Sequence, residues 1–181
     1  MHITVKTIVT VIDTVNEKIA RILSYLAILL ILQLCYEVVC RYIIGRPNIW
    51  SFDATYFISS ILVLYGFAYT WKKGGHVSVD LFAGFMPKRV GSAIFCVFML
   101  ALFFPTWGNI VNQMFINVQY SWKILERSTA GSMPPIYPYK TWMMVGVILF
   151  MIQGVSEFLK SVYFVFTGRQ LLDEQKEGVN W

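Results

Sequence analysis

The chain has 181 residues and a formal charge of +5, with 57% hydrophobic and only 14% charged residues. Soluble domains carry roughly 25% charge and cannot hide this much apolar side chain, so the composition excludes a soluble globular fold and asks for a bilayer core as solvent. The fifteen basic residues sit in the gaps between apolar runs, not in the one-sided patch of a nucleic-acid binder, so no nucleic-acid partner is expected.

In residues 1–18, Val5, Ile8, Ile12, Val15 and Ile19 recur at steps of three and four, the helical period. Lys6, Asp13 and Glu17 fill the opposite face. The segment is either a solvated helical lead-in or an amphipathic helix lying on the membrane. The acids interrupt the apolar run after Lys6 and no small-x-small site follows, so no cleaved signal peptide is expected. Span 1 is expected over about 19–44. Within it Gln33, Glu37 and Arg41 stand at i, i+4 and i+8 and share one helix face. Polar groups inside a span usually face protein. This face therefore predicts a helix–helix contact, with an ion or proton path through Glu37 as the functional alternative.

Gly45, Arg46 and Pro47 end that helix, because Gly suits the position after a helix and Pro cannot continue it. Trp50 marks the membrane–water boundary. Ser51 and Asp53 are candidate caps for the next helix. Span 2 is expected over about 52–71, with Gly66 and Ala68 offering close approach to a neighbour. Gly74 and Gly75 then stop the helix. The run from His76 to Asp80 reads either as a short extended segment of period two or as a helix with His76 and Asp80 at i, i+4. Span 3 is expected over about 90–112, kinked at Pro105, with 112–125 prolonging it into the headgroups. Residues 113–140 read as an ordered interfacial loop rich in aromatics and prolines. Span 4 covers about 141–166, with Gln153 and Glu157 at i, i+4, and 167–181 is a polar tail. The fold class is all-α, an integral membrane domain over 19–166 behind the amphipathic lead-in.

Chemistry is sparse. The histidines are His2 and His76, neither in a span, so a haem-carrying bundle has no ligands. Cys35, Cys40 and Cys96 lie in apolar runs without the spacing of a metal set and read as buried thiols. No P-loop, H-E-x-x-H or G-x-S-x-G pattern occurs. No catalysis, metal or cofactor is expected. Basic residues favour cytoplasmic loops. Ten of the fifteen lie in the N-terminus, the 72–89 connection and the C-terminal region, and five in the other two connections. Both termini are therefore expected in the cytoplasm.

The run from Arg41 through Tyr42, Gly45 and Pro47 to Trp50 resembles the R-Y-x-x-G-x-P-x-x-W signature of the small (Q, DctQ-like) permease subunit of tripartite ATP-independent periplasmic (TRAP) transporters. Gly66-x-Ala68-Tyr69, Gly74-Gly75-His76-Val77-x-Val79-Asp80, Glu126-Arg127-Ser128 and Pro134-Pro135-x-Tyr137-Pro138-x-Lys140 are similar to its later motifs and follow in the same order. The resemblance covers about residues 19–165. Many members carry two adjacent acids after the Trp, whereas Ser51-Phe52-Asp53 supplies one.

The resemblance implies a sodium-driven importer of an organic acid anion in a bacterial inner membrane. A large M subunit, here a separate chain, would hold the sodium and substrate sites and move as an elevator. This chain would anchor the static scaffold, and a periplasmic binding protein would dock on the outer face. Gln33, Glu37 and Arg41 would meet a neighbouring helix, and Gly45, Pro47 and Trp50 would set the outward loop. His76 and Asp80 would hold the cytoplasmic loop, with Glu126 and Arg127 in the second outward loop. The bare residues leave two other readings open: a self-contained four-span exporter of small cations using Glu37, or a membrane scaffold unrelated to transport.

Overall fold

The computed structural model describes residues 2–73, 87–129 and 133–168, with residues 2–5 and 88 described by backbone alone. His76, Asp80, the 74–80 loop and all but the first two residues of the 167–181 tail lie outside the described residues. The helices are α1 (His2–Tyr42), α2 (Ile49–Lys72), α3 (Lys88–Phe98), α4 (Phe104–Lys123) and α5 (Tyr137–Thr167), with a π-helical turn, Met99–Phe103, joining α3 to α4. Four stretches are long and apolar enough to cross a membrane: Lys6–Tyr42, Ile49–Lys72, Arg89–Lys123 and Tyr137–Thr167. The protein is thus an all-α, four-span membrane protein. Among the described residues the only strand-like feature is one antiparallel bridge between Arg127 and Pro135.

The lead-in is not a separate element. No Gly or Pro stands before Gly45, so nothing breaks the helix, and α1 runs 41 residues. It stops where Gly45 takes φ +72°, a backbone region that costs Gly little. Arg46 N–H then closes on Cys40 C=O at 3.0 Å. Of the face expected to be solvated, Lys6 and Glu17 are exposed but Asp13 is turned inward and buried, together with its neighbour Asn16, whereas Ile8 and Val15 on the apolar face are exposed. Asp13 and Asn16 find partners on α5, and Glu17 finds Lys72 of α2.

Two further expectations fail at α2. The helix begins at Ile49 with Asn48 as its first flanking residue, so Ser51 and Asp53 are not caps. Both lie inside α2 and are buried. Gly66 has nothing within 4 Å of an added Cβ, whereas Ala68 is buried. Cys35 is exposed and Cys96 half-buried, so only Cys40 is a buried thiol. Cys35 lies on the part of α1 turned away from the other helices.

The disruption expected at Pro105 takes the form of the π turn. Proline has no N–H and its ring crowds the carbonyl four residues back. The helix widens just ahead of it, and Phe104 N–H bonds Met99 C=O, five residues back. Beyond Pro105 the helix continues to Lys123.

The last helix is the hub. It packs against α1, α2, α3 and α4, and α1 packs in turn on α2. Phe57 stacks on Tyr139 at 4.4 Å and Trp71 meets Phe150 at 5.0 Å, so α2 and α5 run parallel. Apolar burial gives little drive between helices in lipid, where close packing and polar links carry association. Both are present. An added Cβ at Gly146 would sit 2.8 Å from Tyr65, and one at Gly154 would sit 2.3 Å from Phe103. Tyr65 O–H donates to Trp142 C=O at 2.8 Å.

Candidate functional site

Three polar clusters tie the helices together, one toward the C-terminal end of α5 and two at the opposite end of the bundle. The first is centred on Asp13 of α1. Its Oδ1 accepts from Gln153 Nε2 (3.1 Å) and Ser156 Oγ (3.2 Å), and its Oδ2 lies 2.9 Å from Lys160 Nζ. Glu157 Oε1 accepts from Gln153 Nε2 and from Lys160, each at 2.9 Å. Asn16 Nδ2 donates to Gln153 Oε1 at 2.6 Å. Lys72, at the end of α2, reaches Asp13 C=O (3.1 Å) and Glu17 Oε2 (2.9 Å). Three helices are joined there. Donors answer acceptors within the cluster, so it is built as a lock.

Of these residues, the sequence marked Gln153 and Glu157 as a spaced pair and Asp13 and Glu17 as members of a polar face expected to be solvated. The signal for the rest was present. Asp13, Asn16 and Glu17 fall at i, i+3 and i+4, and Gln153, Ser156, Glu157 and Lys160 repeat that spacing, so each set makes one polar helix face.

The second cluster holds the first set of expected residues. Gln33 Nε2 donates to Ser51 Oγ of α2 at 2.6 Å. Arg41 and Glu37 form an ion pair within α1 at 2.8 Å, with the guanidinium half exposed. The other carboxylate oxygen, Glu37 Oε2, is buried without a hydrogen bond from the described residues. Asn48 Nδ2 reaches Tyr36 O–H at 3.2 Å, and the Trp50 ring lies 6.2 Å from that of Tyr36. Asp53 is buried in the second turn of α2. Gly45 and Pro47 form the exposed turn between the helices.

The third cluster joins α4 to α5. Lys140 Nζ donates to Glu126 Oε2 (2.6 Å), Asn117 Oδ1 (3.0 Å) and Ser121 Oγ (3.0 Å). Ser121 Oγ also donates to Glu126. The Lys140 ammonium and then the Ser121 hydroxyl hold the Glu126 carboxyl below the ordinary carboxylate range. The described parts of the connection are tied to each other by backbone: Ser128 N–H bonds Pro134 C=O and Ile136 N–H bonds Glu126 C=O, each at 2.9 Å. Arg127 is exposed on this loop and is used there through its backbone bridge to Pro135. Trp122 Nε1 donates to Thr141 Oγ1 at 3.0 Å, and its ring lies 4.5 Å from Tyr137.

Among the described residues no group of three or more His, Cys, Asp or Glu side chains stands close enough to hold a metal ion. The arrangement joins helices and sets the level of two loops. The family model described as tripartite ATP-independent periplasmic transporters, DctQ component, matches residues 30–163. No curated protein matches the chain.

Proposed function

The chain belongs to the DctQ family, the small membrane component of TRAP transporters, and from that premise we propose that it serves a sodium-driven importer of an organic acid anion by scaffolding a separate large transport subunit and helping to dock a periplasmic binding protein. The observation that carries this reading is the extent of the match. Residues 30–163 run from the middle of α1 to near the end of α5 and take in parts of all four spans. The family is a transporter component and not an enzyme family.

The clusters support a static role. A subunit that stays still while another moves needs its helices fixed to one another at both ends. Asp13 with Lys160, Gln33 with Ser51 and Lys140 with Glu126 link helices or helix ends in that way. In this reading the chain is a multi-pass protein of a bacterial inner membrane with both termini in the cytoplasm, as the ten-to-five division of basic residues favours. The 43–48 turn and the 124–136 loop then face the periplasm. Arg41, Trp50 and Arg127 stand exposed at or beside them and offer cationic and aromatic groups to a binding protein. Glu37 holds Arg41 in place, Gly45 and Pro47 shape the turn, and Asp53 supports the start of α2.

The test is reconstitution of this chain with its large membrane component and binding protein in liposomes. Uptake of labelled 2-oxo or 2-hydroxy acid anions is expected only with all three proteins and an inward sodium gradient. Uptake at the same rate without this chain would sink the scaffolding role. Transport of small cations by this chain alone would point instead to an exporter.

A further inference from the structure

The surface of α4 carries a polar stripe that meets the third cluster only at Asn117. Thr106, Asn109, Gln113, Asn117 and Tyr120 are all exposed. Steps of three and four residues keep them on one helix face. Asn109, Gln113, Asn117 and Tyr120 border a groove of about 810 Å³ whose walls include Ile110 and Met114, with Lys140 and Glu126 at its mouth.

The depth of this stripe is fixed by contacts with α5. Asn117 Oδ1 accepts from Lys140 in the first turn of α5, and Phe103 packs against Gly154. Asn109 and Gln113 lie between those two levels, beside the apolar run 143–152 of α5. They stand at the depth of the membrane interior and on the outside of this subunit. Asn109 Nδ2 turns back to Pro105 C=O of its own helix at 2.9 Å. Gln113 makes no hydrogen bond to a described residue. Lipid tails offer amides no donor or acceptor, and polar side chains at this depth are met by another protein segment.

We infer that this face of α4 is the seat of a membrane-crossing helix from the large transport subunit, one that presents uncharged hydrogen-bonding side chains such as Ser, Thr, Asn or Gln. The chemistry of the stripe sets that choice. Its groups inside the membrane are amides and a hydroxyl, and the Lys140–Glu126 pair at the mouth is internally neutralised. A charged helix would find no counter-charge, and an acyl chain would leave the Gln113 amide unanswered. Contact along 106–120 at steps of three and four is the geometry of two helices crossing at a shallow angle. The identity of the partner rests on the family reading above, in which a small component has a large membrane component beside it. The assignment of this face to it is new.

The experiment places a photo-crosslinking amino acid at Gln113 in the full chain, co-expressed with the large subunit in membranes. The expected product is an adduct that yields peptides of the large subunit. In parallel, a chain carrying Asn109→Leu and Gln113→Leu is expected to reach the membrane in normal amount but to retain at least fivefold less large subunit on affinity purification. An adduct at the mass of two copies of this chain overturns the inference, as do adducts with lipid only or undiminished retention by the double variant. Purification of the unaltered chain without any large subunit would fail the functional reading as well. Retention of that subunit without a Gln113 adduct would fail this face alone.

Discussion

Lys160 Nζ lies 2.9 Å from Asp13 Oδ2, and this buried ion pair joins the last helix of the bundle to the first. The side chains are 14% and 7% exposed. Removing one partner of such a pair strands the other charge, at a cost of about 3 kcal/mol or more. Lys160→Met should therefore lower the unfolding temperature in detergent markedly. Adding Asp13→Asn to the same chain should recover part of the loss, because one of the stranded carboxylates is then gone. Equal unfolding temperatures for Lys160→Met and the parent would show that the pair holds nothing.

The contact of Gly154 with Phe103 makes a second prediction. A methyl group at Gly154 would lie 2.3 Å from the Phe103 ring. The ring has little room to retreat, since Trp71, Phe104, Trp107 and Phe150 lie against it with centroids 4.9 to 6.0 Å away. Gly154→Ala should cost about 1–3 kcal/mol, the usual range for overpacking. Phe103→Leu should relieve it in the double variant. Thermal unfolding of the two single variants and the pair measures the coupling, and strictly additive losses would refute it.

Hydropathy made the spans legible, and helix-ending chemistry made the turn at Gly45 and Pro47 legible. What it could not supply was the facing of the helices. In a soluble protein the polar side of residues 1–18 would meet water, and that habit misplaces Asp13. In this bundle Asp13 is drawn inward because its carboxylate finds Gln153, Ser156 and Lys160 on α5. The hub role of α5 was equally hidden. Gly146 and Gly154 give it close approach, but a glycine in sequence does not say whether a neighbour stands against it, and Gly66 shows the opposite outcome. Gln33 carried its own evidence, a lone amide in a span that had to find a partner. Only the fold could name that partner as Ser51.

Glu126 gives a pH prediction with a defined sign. Lys140 and Ser121 hold its carboxyl below the ordinary value of 4.5. A carboxylate with a depressed folded pKa stabilises the fold fully above its unfolded value and loses that contribution as pH falls through the folded value. The link between the 124–136 loop and α5 should therefore be unchanged from pH 7 down to about 5 and weaken below 4.5. Trp122 lies in the same region, so its fluorescence reports the change once the spectrum of Trp122→Phe is subtracted. Glu126→Gln should abolish the acid transition. A transition that persists in that variant would assign it to another group.

The π turn at Met99–Phe103 supports the last prediction. A π turn carries one residue more than the α-helix it interrupts, and here it stands just before Pro105, which cannot donate to the carbonyl of Ala101. The extra residue rotates α3 relative to α4 and brings Met99 into the core, where it is 4% exposed. Deleting Ala101 together with Pro105→Ala removes both the surplus residue and the missing donor, so the helix can close as a regular α-helix with the facing of α3 preserved. That variant should express and unfold within a few degrees of the parent. Deleting Met144 from α5 offers no such compensation. It turns every later residue by about 100°, pulls Gln153, Ser156 and Lys160 away from Asp13, and should prevent recovery of folded protein. Equal damage from the two deletions would show that the π turn is not what sets the register between α3 and α4.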